Sequence, residues 1–372
     1  MNQLKQFTRK QKAGGKHKKN KIVNKQTKKK TKYTIESIIT ESDFLKLDYP
    51  YYSYFTDISK IKKDLQKLKD YKPKIITDYK NNKLESLIIN NKKYKNYVII
   101  EDYISNYYLH KITEYFSQKC RVLCEFRYKD GSRLSELEAF QKNKIDIYNK
   151  VKQQNDDIVN YLNTEEYMYL NYKRCTLFKT TVSLAILQLF EPKVWIDISS
   201  GWGDRLISAI AYGKCKYLGT DPSECQQANY KKIINALVNK SDKQNYKIQK
   251  IGYEENKYKP NSADLIWSGP PFFDLEIYEH TNNQSHQKYN TFNKWVNNFL
   301  YRDIIKKSVP ILQVGGHLVL YISDYAKYKY TSYICNKVKK EIPELEYKGK
   351  IYYLDKNDKY KTFRYIHVWQ KV

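Results

Sequence analysis

The stretch Val194-Trp-Ile-Asp-Ile-Ser-Ser-Gly-Trp-Gly-Asp-Arg-Leu206 decides the fold. A run of β-branched and aromatic residues ends in Asp197, a glycine pair follows at Gly201 and Gly203, and Arg205-Leu-Ile-Ser-Ala-Ile-Ala211 continues with helical periodicity. A strand that turns through glycines into a helix leaves unpaired amides at the helix start. It also lets the backbone of Ser199, Gly201, Trp202, Gly203 and Asp204 pass close to a ligand. The same texture recurs on both sides of this stretch. Short apolar runs at 217–221, 246–251, 263–268 and 317–323 alternate with helical patterns at 224–239 and 292–312. Alternating strand and helix predicts an α/β fold with a mostly parallel sheet wound on both faces, binding ligands at the carboxyl ends of its strands. Two further alternating runs, 346–354 and 362–370, flank the turn Asp355-Lys-Asn-Asp358 and predict a C-terminal antiparallel hairpin at the sheet edge.

Upstream, residues 58–71, 97–118 and 134–163 carry apolar side chains at three- and four-residue spacing, which predicts a mainly helical N-terminal region. Within it, residues 121–128 alternate and read as a short strand closed by the turn Lys129-Asp-Gly-Ser132. The expected organisation is a basic arm over 1–32, a helical region over 33–165 available for substrate recognition, and an α/β domain over 166–372.

The second strand of the α/β half, Tyr217-Leu-Gly-Thr-Asp221, ends in a carboxylate followed by Pro222. An acid there, on the strand after a glycine loop, can accept from both hydroxyls of an adenosyl ribose. Position 206 is Leu where a dinucleotide fingerprint has its third glycine, which favours S-adenosylmethionine over NAD as the adenosyl ligand. Glu254 or Glu255, just past the third strand, is a candidate contact for the adenine amino group. The fourth strand delivers Ser268-Gly-Pro-Pro-Phe-Phe-Asp-Leu-Glu-Ile-Tyr278 to the same edge. Pro270 and Pro271 cannot continue a central strand and stiffen a loop with outward carbonyls, and Phe272 offers an aromatic platform. Such parts can hold a planar amino group, as with bases drawn out of a nucleic-acid stack.

These residues resemble the class I S-adenosylmethionine-dependent methyltransferases, and within them the amino-methylating DNA methyltransferases with an Asp/Asn/Ser-Pro-Pro-aromatic signature. The resemblance covers residues 173–372 and implies a Rossmann-like methyltransferase sheet. It implies cofactor contacts from Asp197 through Asp204, from Asp221, and from Phe178 in the segment Cys175-Thr-Leu-Phe-Lys-Thr-Thr-Val-Ser183, which resembles the cover of the methionine moiety. Gly201-Trp-Gly-Asp-Arg-Leu206 with Thr220-Asp-Pro222 is similar to viral and phage methyltransferase-like sequences. The chain departs from the signature at Gly269, where the family carries an acceptor side chain; Ser268, Asp274 and Glu276 are the nearby residues able to replace it. The implied reaction is direct in-line methyl transfer to an exocyclic amino nitrogen of a base, DNA ahead of RNA, with no metal and no covalent enzyme intermediate. Gly269 also motivates an alternative: a silent methyltransferase-like module that binds nucleic acid or serves as a subunit of a methyltransferase complex. A small-molecule or protein methyltransferase is a third reading.

The chain's 68 Lys and Arg outnumber its 40 Asp and Glu, for a formal charge of +28 over 372 residues. The arm over 1–32 has no acid and carries 13 of those charges, which points to an anionic polymer as partner and to an intracellular address: nucleus, host cytoplasm or virion. No apolar run approaches the ~20 residues of a membrane span, and no apolar segment follows the basic N-terminus as in a secretory signal. Lys outnumbers Arg 60 to 8, a bias that an AT-rich genome explains and that makes each arginine worth following. Arg121, Arg127 and Arg133 are candidate nucleic-acid contacts. The six cysteines are scattered, which predicts reduced thiols, and Cys120 and Cys124 lack the second ligand pair that zinc requires.

Overall fold

Val194, Trp195 and Ile196 favour extended backbone, and they form a central strand of the sheet. The computed structural model describes residues 34–372 except 82, 129, 326, 359 and 360; the basic arm expected over 1–32 lies outside the described residues. In chain order the strands are β1 (Lys74–Ile76), β2 (Leu87–Ile89), β3 (Lys92–Tyr94), β4 (Val98–Glu101), β5 (Glu125–Arg127), β6 (Arg133–Ser135) and β7 (Val194–Asp197). They continue with β8 (Lys216–Thr220), β9 (Tyr246–Gln249), β10 (Ala263–Ser268), β11 (Glu276–Ile277), β12 (Leu312–Leu320), β13 (Leu345–Asp355) and β14 (Arg364–Lys371). The main sheet runs β1-β4-β13-β14-β12-β10-β7-β8-β9. Its half from β12 to β9 is parallel throughout, as the alternating pattern predicts.

Four helices matter for the site: α1 (Tyr103–Arg121), α2 (Thr180–Phe190), α3 (Asp204–Tyr212) and α4 (Glu224–Leu237). They pack on one face of the sheet around Leu109, Leu184, Leu206, Ile233 and Trp195. The opposite face is covered by the π-type helix Trp295–Lys306 and the helix Thr331–Glu341, around Trp295, Leu300, Ile334 and Trp369. Both faces of the sheet are thus buried, which is the condition under which parallel strands are stable.

Two expectations are corrected. The hairpin β13-β14 is not at the edge: β4 pairs parallel to β13, and β1 pairs antiparallel to β4 beyond it. The cause is that β13 is apolar on both faces. Ile351 and Tyr353 enter one core, while Tyr352 and Leu354 join Val98 in a second cluster. Nor is 33–165 separate. Its regular structure is mostly helical, and one small core around Phe44, Phe140 and Val151 draws mainly on it, with Met168 added from beyond 165. Yet Ile99 of β4 and Leu109 and Ile112 of α1 lie in the same core as α2 and α3, and 33–372 forms one compact unit. The predicted strand near 121–128 is found as β5, paired with β6 across the predicted turn, and β11 joins them in a second sheet.

The thiols are a third correction. Cys120 is disulfide-bonded to Cys225 and Cys124 to Cys175, while Cys215 and Cys335 are free. The partners are 105 and 51 residues apart in sequence and meet only because the end of α1 lies beside the start of α4 and the segment before α2. Among the described residues, no helix is long and apolar enough to cross a membrane.

The shared core generates a prediction. Residues 166–372 expressed alone lose β4 and α1, so β13 presents an unpaired apolar edge. This fragment is expected to aggregate or to lack a cooperative thermal transition by circular dichroism, whereas 34–372 melts in one step. A cooperative melt of the fragment close to that of 34–372 would restore the boundary at 165.

Candidate functional site

The carboxyl ends of β7, β8, β10 and β12 open on a cavity of about 540 Å³. The loop after β7 enters it through Gly201 (φ 57°) and Gly203 (φ 92°), both in the left-handed region that favours glycine. A Cβ on Gly203 would stand 2.8 Å from Ile233 Cδ1, so this residue lets the loop close onto α4. The cavity wall takes in Phe178, Ser199, Gly201, Trp202, Asp204, Asp221, Pro222 and Glu254 from the expected cofactor set, and Gly269, Pro270, Pro271 and Phe272 from the expected reactive set.

Asp221 is buried and oriented by two amides: Gly201 N donates to Oδ2 at 2.7 Å and Ser223 N to Oδ1 at 2.9 Å. Each carboxylate oxygen keeps acceptor capacity, as ribose hydroxyls require. Burial raises the Asp221 pKa to about 6. Asp204 opens α3 with Oδ1 buried and without a hydrogen-bond partner. Its pKa is also raised to about 6, chiefly by burial, against the nearby Arg205 guanidinium. That Oδ1, with Arg205 Nη1 3.8 Å away, keeps acceptor capacity on the cavity wall for a cationic ligand group. The Trp202 ring meets Tyr278 edge-on at 5.7 Å, and its carbonyl accepts from Ser117 Oγ at 2.7 Å. The carboxylate of Glu254 accepts from Lys288 Nζ at 2.6 Å.

Asp197 is corrected: it is fully buried and is not part of the cavity wall. Arg205 Nε (2.9 Å), the Tyr217 hydroxyl (2.8 Å) and Ser268 Oγ (2.7 Å) all donate to its carboxylate. Ser268 is corrected with it, because its hydroxyl points inward to Asp197 and it too lies off the wall. Gly203 shapes the loop without lining the cavity. Asp274 lies off the wall and is ion-paired with Arg127. Glu276 does reach the cavity, with its carboxylate accepting from the Tyr278 hydroxyl at 2.6 Å and its pKa raised by burial.

At Gly269 a side chain would meet its neighbours at ordinary van der Waals distance. A Cβ there would stand 3.4 Å from Tyr321 Cδ1 and 3.9 Å from Arg205 Nη1. The Gly269 carbonyl accepts from Ser199 Oγ at 3.0 Å and keeps one lone pair, so it and the Pro270 carbonyl are the main-chain acceptors of the loop. Phe272 meets Tyr325 and Tyr321 edge-on at 5.3 and 6.1 Å.

Arg121 is corrected as a nucleic-acid contact. It is buried, and its guanidinium pairs with Glu136 at 2.7 Å and Glu114 at 3.2 Å and donates to the Cys175 carbonyl at 3.1 Å. It braces the segment leading to Phe178. Arg127 and Arg133 face each other across β5-β6. His280, on the loop after the Pro-Pro turn, pairs with Glu125 at 2.5 Å and does not line the cavity. Residues that the sequence reading left out of the site complete it: Tyr103 and His110 of α1, Lys179, Tyr321, Tyr353 and Arg364.

No family model matches the chain, and no curated protein matches it. Solved structures similar to it include TrmN from Thermus thermophilus, at 15% identity over 52% of this chain and 49% of that one, with a TM-score of 0.35. An rRNA methylase from Streptococcus thermophilus is similar at 13% identity over 53% of this chain and 99% of its own (TM-score 0.34). Geranyl diphosphate methyltransferase, solved in complex with S-adenosylmethionine, is similar at 10% identity over 52% of this chain and 85% of its own (TM-score 0.36). The chain thus spans about half the length of TrmN. Likenesses of this size decide neither chemistry nor substrate.

The buried acid at Asp204 generates a prediction with a definite sign. The unfolded chain releases this proton near the usual 3.8, the folded chain only near 6. Stability therefore falls as pH rises between those values, and the full penalty, up to about 3 kcal/mol, persists above pH 6. Asp204→Asn is expected to raise the thermal midpoint at pH 7.5 and to leave it unchanged at pH 4. An equal shift at both values would show that the charge on Asp204 carries no cost.

Proposed function

We propose that the chain transfers a methyl group from S-adenosylmethionine to an exocyclic amino nitrogen of a nucleic-acid base. The observation that carries this reading is a single cavity in which the Gly201-Trp202 loop, Asp221 and the Pro270-Pro271-Phe272 loop face one another. The residues present fit the cofactor. Asp221 keeps acceptor capacity for ribose hydroxyls, and Glu254 lies on the wall past β9 for the adenine edge. The unpartnered Asp204 Oδ1 is available to a positive charge. When bound, S-adenosylmethionine supplies an electrophilic methyl on a sulfonium.

The chain's own part is positioning and electrostatics. Phe272 stacks the acceptor ring, the Pro270 carbonyl accepts an amino hydrogen, and its dipole stabilises positive charge as it grows on the nitrogen. The resemblance to amino-methylating DNA enzymes favours DNA ahead of RNA, and the basic arm favours a nucleic-acid acceptor of either kind.

A second reading has its own observation. The acceptor side chain is missing at 269, while Ser268 is engaged with Asp197 and Asp274 with Arg127. A module that binds cofactor and nucleic acid without turnover, or that acts as a subunit of a methyltransferase complex, would look the same.

Labelled S-adenosylmethionine with single- and double-stranded DNA and RNA separates the two. The methyltransferase reading expects label in a polymer and a loss of at least about 100-fold in kcat/KM for Asp221→Ala, which removes both ribose contacts. It expects Gly269→Ser, for which the site has room, to raise turnover. Absence of transfer to every polymer at saturating cofactor would sink the enzyme reading, and label appearing only with Gly269→Ser would support the silent one.

A further inference from the structure

The cavity extends well beyond the Pro-Pro loop. Neighbouring strands lie about 4.8 Å apart. Along the order β14-β12-β10-β7-β8, the loop after β10 is therefore two spacings, about 10 Å, from Asp221 at the end of β8. It is equally far from the start of β14 on the other side. If the cofactor occupies the β7-β8 end, the far end belongs to the acceptor.

That far end has a definite chemistry. Phe178 meets Tyr321 at 5.5 Å, and Tyr321 meets Tyr353 at 6.0 Å, so aromatic rings continue from Phe272 toward β13. Two cations sit at the end of this path, both on the cavity wall. Lys179 Nζ lies 3.5 Å above the ring of Tyr103, and the Arg364 guanidinium lies 5.7 Å from the centre of Tyr353. Among the described residues, no carboxylate oxygen lies within 4 Å of either cation.

The acids that face Lys179 are Glu101, Asp355 and Asp204. Glu101 accepts from Asn106, His110 and Thr181, and Asp355 accepts from the Asn357 amide at 2.9 Å. Burial pulls the Lys179 pKa down to about 8, the two acids Glu101 and Asp355 offset this in part, and Arg364 adds to it. Two cations on the wall of one cavity, neither with an ion-pair partner among the described residues, make a place for an anion.

We propose that Lys179 and Arg364 form an anion subsite at the acceptor end of the cavity, and that it holds a backbone phosphate of the nucleic acid next to the target base. The assignment rests on the methyltransferase reading for its orientation. The chemistry of the subsite, two cations beyond an aromatic path, is independent of it. A cofactor carboxylate is the other anion within a methyltransferase site, and the experiment separates the two.

The test is direct binding, without turnover, by the full chain saturated with S-adenosylhomocysteine. The probes are a single-stranded DNA trinucleotide with one adenine and the same trinucleotide with uncharged methylphosphonate linkages. Wild type is expected to prefer the charged form by about tenfold, the worth of a charge-assisted contact. Lys179→Met and Arg364→Gln are each expected to reduce that preference to about twofold, and Lys179→Arg to retain it. The basic arm is present in every variant, so its contribution cancels in the comparison. Arg364 is exposed, so Arg364→Gln keeps the test valid should Lys179→Met fail to fold.

An unchanged preference in Arg364→Gln and in a folded Lys179→Met overturns the proposal. So does a rise in the Kd of S-adenosylhomocysteine without a change in the preference, which would assign the cations to the cofactor carboxylate. If wild type transfers no methyl group yet shows the Lys179-dependent preference, the subsite stands and the enzyme reading falls.

Discussion

The buried carboxylate of Asp197 is the constraint on which the site depends. It accepts from Arg205 on α3, Tyr217 on β8 and Ser268 on β10, so three neighbouring elements are tied to the end of β7. The Arg205 guanidinium also donates to the Ser199 carbonyl, and Ser199 Oγ reaches the Gly269 carbonyl. The glycine loop and the Pro-Pro loop are therefore positioned by one connected network. A buried ion pair of this kind adds little net stability when complete, but removing one partner leaves an uncompensated charge and costs about 3–5 kcal/mol. Its effect is to fix geometry.

That network also explains where the sequence could be read and where it could not. The strands of the parallel half were legible because each is a short apolar run closed by Gly, Ser, Asp or Pro, a signal contained in five or six consecutive residues. Asp221 and the Pro-Pro loop were legible as parts of the cavity for the same local reason. Asp197 was misread because a carboxylate at a strand end looks the same whether it faces a ligand or three buried donors. The direction of Ser268 was likewise set by a partner 71 residues away. The integration of 33–165 into the main fold rests on pairing between β4 and β13, more than 250 residues apart, and no local pattern carries that information. The two disulfides were hidden by the same separation.

One compositional signal proved more useful than any motif in the N-terminal half. Of the eight arginines, Arg121, Arg174, Arg205 and Arg364 all contribute to the cavity wall. In a chain where lysine is the default cation, arginine stands where a planar fork must meet several acceptors at once. Arg121 meets Glu114, Glu136 and the Cys175 carbonyl, and Arg174 meets Glu136 and Glu165. These pairs hold the cavity roof to α1. The lysine bias is also why Lys179 was passed over: nothing in its neighbourhood along the chain distinguishes it from the other lysines.

The charges left over once these pairs are closed give the cavity a direction. At the β7-β8 end stands Asp221, its pKa raised by burial, and Glu276 on the wall is raised likewise, while Asp204 faces both Arg205 and Lys179. At the β13-β14 end stand Lys179 and Arg364, faced by the carboxylates of Glu101 and Asp355, and among the described residues neither cation forms an ion pair with them. On the proposed reading a sulfonium cofactor takes the first end and a polyanionic acceptor the second, with the Pro270-Pro271-Phe272 loop between them. The Arg205 guanidinium beside Gly269 adds a further demand. On the proposed reading, an unpaired cation there would oppose charge growing on an amino nitrogen, so the pairing of Arg205 with Asp197 is what offsets its charge. Gly269 then bears on that reading twice: it removes an acceptor, and it leaves no side chain between Arg205 and the acceptor nitrogen.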